Sequence, residues 1–187
     1  MLTSENATIA VCATACGEGA SWAASMMACA TAEDGDSVVL VDGDICKPRQ
    51  KQAFEITSDR PLPLPWGGQR LFELNRTSSQ QILVFSPTHL QAQTEREAGA
   101  SLRGDLPGLR SQWGNVIVDC PPIPESTLLL EIASVVDGVV LVVKAEQERR
   151  DELKEKVDWL KRMGPPVLGV IFNKGKGYLS RFLEKAL

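Results

Sequence analysis

Six short apolar runs punctuate the chain: Thr8 to Ala13, Val38 to Val41, Ile82 to Phe85, Val116 to Val118, Val139 to Val143 and Val167 to Phe172. They are rich in β-branched residues and continuous rather than alternating. That is the pattern of strands covered on both faces of a parallel sheet. Helical candidates lie between them, at Ala20 to Ala32, about Thr94 to Trp113, Ser126 to Val135 and Glu146 to Met163. Strand alternating with helix predicts a doubly wound α/β fold, a mostly parallel sheet flanked by helices in a three-layer sandwich. Right-handed crossovers bring the C-terminal ends of the strands to one edge, where such folds bind ligands. The length of 187 residues suits a single domain over 1–187.

The rhythm breaks over residues 57–80, where Pro61, Pro63, Pro65, Gly67 and Gly68 predict an irregular surface loop. The clearest amphipathic helix is Glu146 to Met163, with Leu153, Val157 and Leu160 on one stripe. Gly164-Pro165-Pro166 stops it. A tail over 174–187 starts polar and becomes weakly amphipathic through Tyr178, Leu179, Phe182 and Leu183.

Composition narrows the classes. The formal charge is −4 with both signs mixed along the chain, which argues against a nucleic-acid partner. The five cysteines are odd in number and form no C-x-x-C pair, as expected of a reduced, cytoplasmic chain. Residues 7–32 are rich in Ala, Cys and Met, yet Glu5 is the only early charge and Gly17-Glu18-Gly19 interrupts the run. Neither a signal peptide nor a membrane span is expected.

The chemistry concentrates in three motifs. Ala13-Thr14-Ala15-Cys16-Gly17-Glu18-Gly19-Ala20-Ser21 joins a strand to a helix. Its glycines permit a turn that points amides at an anion, and the helix start adds its positive end. Ser21 offers a hydroxyl to Mg²⁺. Val38-Val39-Leu40-Val41-Asp42-Gly43-Asp44 and Val116-Ile117-Val118-Asp119-Cys120-Pro121-Pro122 are strands that end in carboxylates. Carboxylates at such ends fall beside the loop, where they orient a metal or a nucleophile. Taken singly, each Asp is a cap or turn residue. The order and spacing of all three favour a nucleotide site.

The order G-E-G-x-S, V-D-G-D-x-x-K-P, V-I-V-D-x-P-P and G-V-I-F-N resembles the cytoplasmic domain of bacterial tyrosine kinases. These are P-loop NTPases related to ParA/MinD that work with polysaccharide co-polymerases in capsule and exopolysaccharide export. The resemblance runs from Thr8 to Asn173 and is poor between about residues 50 and 112. It implies ATP or ADP with Mg²⁺ as cofactors. Thr14, Cys16, Gly17, Glu18, Gly19, Ala20 and Ser21 would wrap the phosphates, and Asn173 would meet the base. Ser21, Asp42 and Asp119 would hold the metal. Asp42 and Asp44 form the second Walker motif, Asp119 is the Walker B carboxylate, and these three would be catalytic.

The departures shape the functional expectation. Ala20 replaces the loop lysine, and Cys46 replaces an arginine after the second Walker motif. A tyrosine cluster for autophosphorylation is reduced to Tyr178. A degenerate regulatory or structural subunit is expected, docked on a membrane polysaccharide co-polymerase or an active kinase paralogue, with a homo-oligomer as a further arrangement. One alternative is an atypical autokinase or ATPase whose cation comes from Lys47, Lys174, Lys176 or a partner. A second is a ParA/MinD-like positioning ATPase.

Cys16, Cys46 and Cys120 each lie within two residues of a site motif. Converging strand ends would make them a thiol cluster for a soft metal or for redox sensing. The other explanation is that tight turns need small apolar residues. His89 is the only histidine and has no nucleophile motif around it, so a His-based hydrolase is not expected.

Overall fold

The computed structural model describes residues 6–57, 61–64, 71–78, 81–88, 94–123, 127–145 and 150–175. His89, Lys176, Tyr178, most of the expected tail and the start of the expected Glu146 helix lie outside the described residues. The elements follow in the order β1 (Thr8–Ala13), α1 (Ala20–Glu33), β2 (Val38–Asp42), α2 (Gln50–Ala53), β3 (Phe72–Arg76) and β4 (Ile82–Pro87). Then come α3 (Glu95–Trp113), β5 (Asn115–Asp119), α4 (Leu128–Ile132), β6 (Gly138–Lys144), α5 (Arg150–Arg162) and β7 (Val167–Asn173). The strands form one sheet in the order β3-β4-β2-β5-β1-β6-β7. Every neighbouring pair is parallel except β3 with β4.

The continuous apolar runs are explained by burial on both sides. In β1, Ala10 and Cys12 face one core cluster and Val11 and Ala13 face the other. The first cluster holds Leu102, Leu106 and Leu109 of α3, Leu128 and Ile132 of α4 and Leu160 of α5. The second holds Ala23, Ala24 and Ala28 of α1. Small residues let α1 lie close to the sheet and bring its first turn over the end of β1. Thr94 starts α3 with a capping box: its hydroxyl accepts from the Glu97 amide, and the Glu97 carboxylate accepts from the Thr94 amide.

Within the expected irregular loop over 57–80, the described residues include a strand. Phe72–Arg76 forms the antiparallel edge strand β3, and Leu62 bridges to Leu74. The prolines upstream mask its strand pattern, in which Phe72, Leu74 and Asn75 are buried while Arg76 is exposed. The short helix α2 carries no periodic signal in the sequence. Of the expected Ser126 to Val135 helix, the structure forms Leu128–Ile132.

Candidate functional site

Parallel pairing of β2 with β5 sets Asp42 directly opposite Asp119. The loop after β1 lies beside them, since β1 is the next strand after β5. A cleft of about 540 Å³ opens at this edge. It is lined by loop residues from Ala15 to Ser21, by Trp22, and by Asp44, Lys47, Arg49, Asn173 and Lys174.

The loop turns through two left-handed glycines, Gly17 at φ +81° and Gly19 at φ +101°. No side chain caps the first turn of α1, so its amides and positive end face the cleft. The Ala20 methyl is buried at this junction. Where a longer side chain would carry a cation, none exists.

Glu18 works differently from the expectation. Its carboxylate turns inward and accepts from the Thr14 amide (2.8 Å), the Thr14 hydroxyl (2.7 Å), the Ala15 amide (2.9 Å) and the Lys144 amide (3.1 Å). It fixes the loop to the end of β6. Thr14 and Glu18 are therefore braces of the cradle, and the Thr14 amide already has an acceptor within the protein. The arms of the cradle that remain are Cys16, Gly17, Gly19, Ala20 and Ser21.

Asn173 also braces the loop. Its Nδ2 donates to the Glu18 carbonyl at 2.7 Å and its Oδ1 accepts from the Lys174 amide at 2.8 Å. Lys174 follows in a left-handed conformation, φ +55°, and its Nζ donates to the Gly17 carbonyl at 2.6 Å. The end of β7 thus grips two successive carbonyls of the loop.

The carboxylates are closed off. Asp42 and Asp119 are 1% and 2% exposed. Asp42 Oδ2 accepts from the Arg49 and Gln50 amides at 2.7 and 2.8 Å. Asp42 Oδ1 is buried with no hydrogen-bond partner. Asp119 Oδ2 accepts from Gln50 Nε2 at 2.7 Å, and its carboxylate also bonds the Ser21 side chain. Burial pushes the Asp42 carboxyl up to about 7, with the charges of Asp119 and Asp44 adding to it. Burial likewise pushes Asp119 up to about 6 against the lowering effect of the Gln50 and Ser21 bonds. Asp44 stands apart: its Oδ1 accepts from the Cys46 and Lys47 amides and holds a turn.

Gln50 escapes sequence reasoning, because a glutamine in a proline-flanked stretch carries no motif. It lies at the start of α2, 1% exposed, between Ser21, Asp42 and Asp119. Those three side chains are the right oxygen donors for Mg²⁺ in type, and the unpartnered Asp42 Oδ1 asks for a cation or a proton. As they stand they do not fit one, because Gln50 takes a lone pair from each carboxylate, its backbone amide from Asp42 Oδ2 and its Nε2 from Asp119 Oδ2.

The thiols do not gather. Cys16 and Cys46 are exposed, whereas Cys120 is buried in the core beside Cys12. Burial pushes the Cys12 thiol up to about 12 and raises Cys120 well above its ordinary value. Among the described residues no group of three His, Cys, Asp or Glu side chains is arranged to hold a metal. The thiol-cluster explanation therefore fails, and of the three only Cys120 packs as a small apolar side chain at a strand end. Among the described residues no helix is long and apolar enough to cross a membrane.

No family model matches the chain. Among characterised proteins it is similar to the tyrosine-protein kinase YwqD of Bacillus subtilis, at 26% identity over 177 residues, 86% of this chain and 69% of that protein. It is also similar to CapB of Staphylococcus aureus, a putative tyrosine-protein kinase by name, at 26% over 147 residues. That match takes in 76% of this chain, and the chain spans 64% of the length of CapB. The solved chimerical protein CapA2B2 superimposes with a TM-score of 0.76 and 25% identity, over 93% of this chain and 78% of that one. The septum site-determining protein MinD of Pyrococcus horikoshii, solved with Mg-ADP, superimposes with a TM-score of 0.70 over 89% of this chain and 69% of that one. At 16% identity it shows the fold alone. The relatives of this chain are bacterial tyrosine kinases, and its fold is that of the P-loop NTPases.

Proposed function

We propose that this chain is a nucleotide-binding relative of the bacterial tyrosine kinases in which phosphoryl transfer is impaired or lost. It acts as a regulatory or structural subunit in capsule or exopolysaccharide biosynthesis. The ligand of the cleft is a nucleoside di- or triphosphate, with its phosphates on the amides of Gly17 to Ser21 and on the positive end of α1. The link to polysaccharide, and docking on a membrane co-polymerase or an active kinase paralogue, rest on the resemblance to those kinases.

The observation that carries this reading is Ala20 at the head of α1, where a methyl group meets the cleft in place of a cation. Phosphoryl transfer is mostly positioning and charge stabilisation. Removing one well-placed donor from such a site costs about 10²- to 10³-fold in rate. Tyr178 as the single tyrosine agrees with reduced autophosphorylation. Calorimetric titration of ADP and ATP, alongside an assay of phosphotyrosine formation, tests the reading. Binding without phosphotyrosine is expected, and sustained turnover abolished by Asp119→Asn would overturn it.

One observation favours a second reading, an atypical autokinase or ATPase. Lys47, Arg49 and Lys174 line the same cleft and bring cations from outside the loop. The turnover assay separates the two readings.

A further inference from the structure

Gln50 makes more contacts than a residue of a four-residue helix needs for its own stability. Its backbone amide donates to Asp42 Oδ2 at 2.8 Å. Its Nε2 donates to Asp119 Oδ2 at 2.7 Å and to the Ser21 carbonyl at 3.1 Å. Its Oε1 accepts from the Ser25 hydroxyl at 2.7 Å. An ionised carboxylate only accepts, so the nitrogen end of the amide must face Asp119. The side chain thereby ties β5 to α1, and the backbone amide adds β2 at the same buried point.

The positive edge of that amide points at a lone pair of Asp119 that a divalent cation would use. A neutral N–H₂ group and a small hard cation compete for the same oxygens, and Mg²⁺ demands a near-complete octahedron of them. Neither Asp42 nor Asp119 lines the cleft, and Gln50 lies against both carboxylates. We propose that the Gln50 carboxamide is a built-in occupant of the cation position, so that the cleft receives phosphates without a resident divalent ion. Removing that carboxamide frees the Asp119 carboxylate, with Asp42 Oδ1 and Ser21 beside it, for one. The inference rests on the nucleotide reading for its ligand but concerns the protein's own residues.

The test is a Mn²⁺ titration of the whole chain without nucleotide, followed by water-proton relaxation. Wild type, Gln50→Ala and Gln50→Ala with Asp119→Asn are compared. The expected result is at least a tenfold gain in Mn²⁺ affinity in Gln50→Ala, removed by Asp119→Asn. Equal affinity in wild type and Gln50→Ala, including none in either, overturns the proposal. Weaker binding in Gln50→Ala also overturns it, since Gln50 would then support a cation. If Gln50→Ala does not fold, Gln50→Glu keeps the volume and exchanges the donor for an oxygen ligand. It should gain at least as much, and no gain overturns the proposal. A separate ADP titration in EDTA bears on the nucleotide reading. Failure of ADP to bind sinks that reading and leaves the Mn²⁺ comparison standing.

Discussion

Asn173 Nδ2 donates to the Glu18 carbonyl at 2.7 Å, and the same nitrogen occupies the space that a side chain on Gly19 would need. The last strand and the loop after the first strand are therefore locked by one amide. Gly19 also has a φ of +101°, a conformation costly to other residues. Gly19→Ala is expected to destabilise the protein by about 1–3 kcal/mol. Asn173→Ala in the same chain should recover part of the loss by relieving the collision, while the backbone strain remains. Urea unfolding of the three chains checks this. A Gly19→Ala chain as stable as wild type would show that the loop end is not fixed by this contact.

The antiparallel edge strand gives a second expectation. Phe72 of β3 stacks on Phe85 of β4 with ring centroids 5.4 Å apart, and both are fully buried. Phe72→Ala should cost about 3–5 kcal/mol, the range for an aromatic lost from a packed core. Chemical denaturation measures it directly. A cost below about 1 kcal/mol would mean that β3 is not sealed onto the sheet.

The parallel core was legible because its strands need no partner information. Runs such as Val38 to Val41 are apolar throughout, and that alone specifies burial on both faces. β3 was not legible, since its buried positions Phe72 and Leu74 follow a proline-rich stretch and its pairing with β4 is a tertiary choice. The same division holds at the site. Gly17, Gly19, Asp42 and Asp119 carry a spacing that reads directly. Glu18 does not, because whether it faces the cleft or the body of the loop depends on the amides of Thr14, Ala15 and Lys144. Gln50 had no signal at all, since its role comes from three elements meeting around it.

The buried carboxylates make stability depend on pH. Folding raises the Asp42 carboxyl from its ordinary range to about 7 and Asp119 to about 6. Between about pH 4 and pH 7 the folded protein holds more protons than the unfolded chain, so stability falls as pH rises through this window. The contribution is fully present below the unfolded carboxyl value and lost above the folded one. Urea unfolding at pH 5 and pH 8 should differ by about 2–3 kcal/mol in favour of pH 5 from Asp42 alone. Asp42→Asn should flatten that slope. A variant that keeps the wild-type slope would place the proton uptake elsewhere.

The last expectation concerns which cation meets a phosphate in this cleft. Lys174 Nζ is 2.6 Å from the Gly17 carbonyl, and Ala20 leaves the head of α1 without charge. Charge-assisted contacts to phosphate are stronger than neutral ones, and ATP carries more charge than ADP. Ala20→Lys should therefore raise ATP affinity at least about tenfold, and raise it more than ADP affinity. Lys174→Met keeps the alkyl stem and removes the charge, so it isolates the ammonium. If Lys174 exchanges the Gly17 carbonyl for phosphate oxygens, Lys174→Met will weaken ATP strongly in the wild-type background and less in the Ala20→Lys background. Equal losses in both backgrounds would mean that the two positions do not share a phosphate. No loss in either would assign Lys174 to the loop alone. Calorimetry on the four chains of this cycle separates these outcomes, and without the coupling the autokinase reading must draw its cation from Lys47, Arg49 or a partner instead of Lys174.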